Sequence, residues 1–136
     1  MTVAEPRIVV LERDLPHPPA KVWRALTQSD LLADWLLQND FRPEVGHTFT
    51  LTAEWGEITC RVLTLEPEKA LSYTWTGGTL DTVVTWTLTP KDDGTMLRME
   101  QTGFGPGDRL AYGGARTGWP RFLDALDRLL AGGSAG

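Results

Sequence analysis

From Gly46 to Gln101 apolar and polar residues alternate with a period of two, in runs separated by turn-forming clusters at Glu54 to Gly56, Pro67 to Lys69, Gly77-Gly78 and Lys91 to Gly94. A period of two marks strands with one buried face, and the short breaks between them specify an antiparallel meander. Gly77-Gly78 supplies the positive φ angles of a two-residue hairpin, while Asp92-Asp93-Gly94 fits a somewhat longer loop. The alternation also sets the register. Phe49, Leu51, Ile58, Cys60, Val62, Leu71, Tyr73, Trp75, Val84, Trp86, Leu88, Leu97 and Met99 fall on one face, whereas Thr48, Thr50, Thr52, Ser72, Thr74, Thr76, Thr85 and Thr87 fall on the other. A threonine-rich face suits water, but the apolar face needs a cover, and the rest of the chain must provide it.

The cover is legible on both sides of the meander. Arg7 to Leu15 is rich in β-branched residues and reads as a first strand. Pro18 and Pro19 then suit a first helical turn, followed by Val22, Trp23 and Leu26 at helical spacing. Ser29 and Asp30 read as the N-cap and first-turn acid of a second short helix that presents Leu32, Trp35 and Leu36. Beyond the meander, Gly103 to Gly107 reads as a turn, and Trp119, Phe122, Leu123, Leu126, Leu129 and Leu130 recur at helical period. This last segment conflicts with its own local preferences at Gly113, Gly114, Gly118 and Pro120. An interior glycine costs roughly 1 kcal/mol and an interior proline roughly 3 kcal/mol. Two outcomes fit: a connector followed by a shorter helix that begins at Pro120, or one long helix kinked near Arg116 to Pro120.

With 136 residues, 41% of them apolar, the chain supports one core and no second domain. The expected architecture is α+β: a curved antiparallel sheet with two short helices and a long C-terminal helix, spanning residues 1–136 with its core at 7–130 and flexible tails at 1–6 and 131–136. A net charge of −5 without a basic stripe argues against nucleic acid as a partner. No apolar run reaches the roughly 20 residues that cross a bilayer, and the N-terminus does not read as a signal peptide, so no membrane insertion and a cytoplasmic location are expected. Cys60 has no second cysteine to pair with and reads as a buried structural thiol. His17 and His47 lie far apart without partners at ligand spacing, so neither a metal nor another cofactor is expected.

Six tryptophans, Trp23, Trp35, Trp55, Trp75, Trp86 and Trp119, provide wide rigid walls. Combined with a sheet and a covering segment thinned by glycine, they point to an apolar cavity between sheet and last helix, its mouth flanked by Tyr112 and Trp119. The candidate lining is Trp35, Phe49, Cys60, Tyr73, Trp75, Trp86, Met99, Phe104, Tyr112, Arg116, Trp119 and Phe122. Glu57, Thr95, Glu100, Gln101 and Arg116 are the candidate polar contributors, with solvent as the alternative destination of each.

The order strand, two short helices, meander, long helix resembles the helix-grip (START-like, Bet v-like) arrangement. The local motifs sharpen the match. Glu12-Arg13, then Pro19-Ala20-Lys21-Val22-Trp23-Arg24-Ala25-Leu26-Thr27 and Trp35, resemble the opening signature of the Aha-like activators of heat-shock-protein ATPase within the START-like (SRPBCC) superfamily. Gly46, Pro67, Leu71-Ser72-Tyr73-Thr74-Trp75, Val84-Thr85, Pro90, Gly94-Thr95, Gly103-Phe104 and Gly118-Trp119 follow in the family's order. Many relatives carry a tryptophan pair where this chain has Trp35-Leu36, and a histidine where it has Gln101.

The resemblance implies a fold shared by proteins that bind lipids, polyketides, plant hormones or aromatic compounds, a minority of which transform them. The leading expectation is therefore non-enzymatic binding of a small apolar or aromatic ligand by a monomer or homodimer. One alternative is a cyclase or hydrolase using Glu57, Asp81 or Glu100 as acid or base. The other is a chaperone interaction module, which requires an exposed patch.

Overall fold

The computed structural model describes residues 7–54, 56–78 and 80–132. In chain order these form β1 (Arg7–Leu15), α1 (Pro19–Thr27), α2 (Ser29–Trp35), β2 (Gln38–Asn39), β3 (Thr48–Ala53), β4 (Gly56–Glu66), β5 (Ala70–Gly77), β6 (Leu80–Lys91), β7 (Gly94–Phe104) and α3 (Arg109–Gly132). The strands make one curved antiparallel sheet in the order β1-β7-β6-β5-β4-β3-β2, with β1 and β2 at its edges. Every residue assigned by alternation to the apolar face is buried there. On the other face Ser72 is the exception, buried among its neighbours.

The core fills the space between this face and the three helices. Pro19 opens α1, whose buried side carries Val22, Ala25 and Leu26. The indole of Trp35 donates to the Ala25 carbonyl at 2.8 Å and so locks α2 against α1. Ser29 does not cap α2; its hydroxyl donates to the Asn39 carbonyl, and Asn39 returns a bond to the Ser29 carbonyl, which ties the short strand β2 to the helix.

Three boundaries differ from the sequence reading. Gly77 is the last residue of β5, paired with Leu80, and the positive φ there belongs to Gly78. Gly94 pairs with Lys91, so the β6–β7 hairpin has two loop residues, and Asp92 adopts φ 49°. Glycine is required at 94 because the backbone of Leu15, at the end of β1, occupies the space a side chain would need. β7 runs on to Phe104, so the turn before α3 is shorter than Gly103 to Gly107. Asp108 organises that turn, accepting the Gly105 N–H on its carboxylate at 2.7 Å.

The last segment is one uninterrupted helix of 24 residues that contains Pro120, not a connector followed by a shorter helix. Trp119, Leu123, Leu126 and Leu130 bury one side of it, and tertiary packing of this kind outweighs unfavourable local propensity. Arg13 of β1 holds Asp124 at 2.7 Å, and Lys21 of α1 donates to the Leu130 carbonyl at 2.8 Å, near the helix end. Ala131 and Gly132, expected in the tail, complete α3. Residues 1–6 and 133–136 of the expected tails, and Trp55, lie outside the described residues.

Candidate functional site

Trp119 organises the site because three elements converge on it. From α3 its ring meets Trp75 of β5 at a centroid distance of 5.1 Å, Trp86 of β6 at 5.6 Å, and Phe122 at 5.6 Å. Its indole N–H donates to Gln101 Oε1 at 2.7 Å. Beside this cluster a cleft of about 940 Å³ opens between the first half of α3 and the ends of β4, β5 and β6. Ile58, Trp75, Leu80, Trp119 and Phe122 supply apolar walls. Leu110, Ala111, Gly114, Ala115 and Gly118 line the α3 side, with Pro106 to Arg109 at the helix entrance. The size and the apolar lining with few polar groups fit a small-molecule site. A smaller hollow of about 550 Å³ near Glu12, Asp14 and Lys91 is floored by exposed ionic groups, of which Lys91 and Asp14 already pair at 3.2 Å.

Of the expected lining residues, Trp75, Trp119 and Phe122 border the cleft. Trp35, Phe49, Cys60, Tyr73, Trp86 and Met99 are instead buried in the packed core beneath it. Edge-to-face contacts link Trp35 to Trp86 at 5.7 Å and Phe49 to both Phe41 and Tyr73, at 4.9 Å and 5.2 Å. Phe104 packs edge-on against Tyr112 at 5.4 Å, and the Arg116 guanidinium lies 5.8 Å from the Tyr112 ring centre. These three residues form a cluster of their own and do not border the cleft.

Among the carboxylates, Glu57 borders the cleft and is exposed, and Asp81 is exposed outside it. Glu100 sits on the opposite face of the sheet, bound by Arg98 at 2.7 Å. Burial pushes the Cys60 thiol up to about 12 and raises the Tyr73 phenol above its ordinary range. Both groups are therefore neutral at physiological pH. Thr95 is buried away from the cleft and donates to the His17 carbonyl. Among the described residues no cluster of His, Cys, Asp or Glu could hold a metal ion, and no helix is long and apolar enough to cross a membrane.

The fold draws Thr82, Thr95 and Gln101 into the buried face, and Thr82 and Gln101 are bonded to each other there. Thr82 donates to the Trp75 carbonyl at 2.8 Å and accepts from Gln101 Nε2 at 2.9 Å. The signal was present as parity: Thr82 lies two residues before Val84, and Gln101 two after Met99. Gly114 and Gly118 carried a signal too, one turn apart and one turn before Phe122.

The chain is similar to several solved structures. Protein MLL2253 from Mesorhizobium loti is 52% identical, with a TM-score of 0.90 over 94% of this chain and 99% of that one. DynU16, a protein in the dynemicin biosynthetic locus, is 24% identical with a TM-score of 0.83, over 93% of this chain but 48% of its own. The Aha1 dimer from Colwellia psychrerythraea gives 22% and 0.81, over 93% of this chain and 98% of that one. At those two identities the likeness speaks for the fold. No curated protein matches. The family model described as activator of Hsp90 ATPase homolog 1-like protein matches residues 16–131, and the chain belongs to that family.

Proposed function

We propose that this protein binds a small hydrophobic or aromatic ligand in the cleft between the sheet and α3, without transforming it. The observation that carries this reading is the pairing of aromatic walls with missing side chains. Trp75, Trp119 and Phe122 border the cleft, while Gly114 and Gly118 face it with open space where side chains would stand. Each glycine inside a helix costs stability relative to alanine. A segment that spends stability to keep a hollow open beside three aromatic rings is built for an occupant.

The test is titration of the purified protein with fatty acids, flavonoids and polyketide-like aromatics, followed by tryptophan fluorescence and native mass spectrometry. One class is expected to give saturable quenching and a one-to-one mass shift. Gly118→Leu, which fills the cleft from the helix side, is expected to abolish both. Binding unchanged in Gly118→Leu, or no saturable response to any class, overturns the reading.

A further inference from the structure

Gln101 differs from every other polar residue at the cleft. Glu57 and Arg109 are exposed at its edge, and the Asp108 carboxylate is engaged with the Gly105 N–H, whereas Gln101 is 1% exposed. Its orientation follows from a directional chain. The Thr82 hydroxyl gives its proton to the Trp75 carbonyl, so its oxygen must accept from Gln101 Nε2. The indole of Trp119 can only donate, so the atom facing it at 2.7 Å must be Gln101 Oε1. A flipped amide would set two donors against each other.

A carboxamide offers two N–H donors and two acceptor lone pairs. Among the described residues the fold uses one of each, which leaves one donor and one acceptor on a buried, fixed group that borders the cleft. Resting on the binding reading above, the geometry points to Gln101 as the specificity-determining residue, selecting an uncharged aromatic ligand that carries a phenol or carbonyl oxygen at its buried end. The phenol can accept the free N–H or donate to the free lone pair; the carbonyl uses the N–H. A carboxylate would lose its hydration at a floor whose polar partner is a neutral amide, with Arg109 out at the exposed edge.

Naphthalene, 2-naphthol and 2-naphthoate share one ring system and serve as probes for wild type and Gln101→Met. One neutral hydrogen bond corresponds to roughly a five- to tenfold change in affinity. The preference for 2-naphthol over naphthalene is expected to fall by that factor in Q101M, with naphthalene still bound, and 2-naphthoate is expected to bind wild type at least tenfold more weakly than 2-naphthol, about the same scale. Q101M also deprives Trp119 of its acceptor and threatens the fold, so wild type carries an independent readout. The side-chain NH2 resonances of Gln101 should shift on saturation with 2-naphthol and stay in place with naphthalene. Unmoved resonances, an unchanged preference in Q101M, or 2-naphthoate as tight as 2-naphthol overturns the role of Gln101 and leaves the cleft a binding site. No saturable binding of any of the three probes overturns this inference, and the binding reading falls with it only if the fatty acids, flavonoids and polyketide-like aromatics also give no saturable response.

Discussion

Gly114 and Gly118 stand one helical turn apart on the cleft side of α3, and beyond the adjoining helix backbone no atom of the described residues lies within 4 Å of the place a Cβ would take at either. Packing does not exclude alanine at either site. Alanine in a helix interior is favoured over glycine by about 1 kcal/mol. Gly114→Ala and Gly118→Ala are each expected to stabilise the protein by about that amount in urea unfolding, while the added methyl groups narrow the cleft. A loss of stability in either variant would show that the glycine serves the backbone rather than the hollow.

Cys60 is fully buried opposite Phe49 in the β3–β4 ladder, and burial raises the pKa of its thiol to about 12. The thiolate is the reactive form, so modification requires unfolding. A disulfide reagent at pH 8 is expected to label the native protein only at the rate of opening, and immediately in denaturant. Rapid labelling of the native state would place this thiol on an accessible surface and contradict the burial.

The buried face of the sheet was legible in advance because a period of two leaves one choice of side, and Phe49 through Met99 obeyed it. Thr82 and Gln101 obeyed the same parity, but what makes their burial possible is a hydrogen-bond chain through Trp75 and Trp119 that spans β5, β6, β7 and α3. Local spacing carries no trace of such long-range pairing. The continuity of α3 was hidden for the same reason: Gly118 and Pro120 are locally unfavourable, and the contacts of Trp119, Leu123 and Leu126 that outweigh them lie elsewhere in the chain. Aromatic content also fails to separate wall from filler. Trp86 and Trp119 touch, yet one is packed on all sides and the other borders the cleft.

Trp86 donates its indole N–H to the Tyr73 hydroxyl at 2.9 Å inside the core. Tyr73→Phe keeps the ring and removes the acceptor, leaving a buried donor unpaired. The expected cost is about 1–3 kcal/mol in denaturant unfolding. Combining it with Trp86→Phe removes both partners, so the double variant should lose less than the sum of the single losses. Strict additivity would mean that this bond contributes nothing to the fold.

His17 follows β1, where its carbonyl accepts the Thr95 hydroxyl and its Nε2 is buried with no partner among the described residues. Desolvation lowers its pKa below the ordinary 6.5, the nearby Lys21 charge lowers it further, and Asp127 on α3 opposes both. The unfolded chain therefore binds a proton at His17 more readily than the folded one. This contribution to stability is fully present above about pH 6.5 and is lost as pH falls from there through the lower folded-state value. His17→Phe keeps a flat ring and abolishes the titration. Urea midpoints measured from pH 7.5 down to 5 should decline more steeply for wild type than for His17→Phe, since carboxylates elsewhere titrate in both. Parallel curves would show that the imidazole gains its proton as easily in the folded protein as in the unfolded chain.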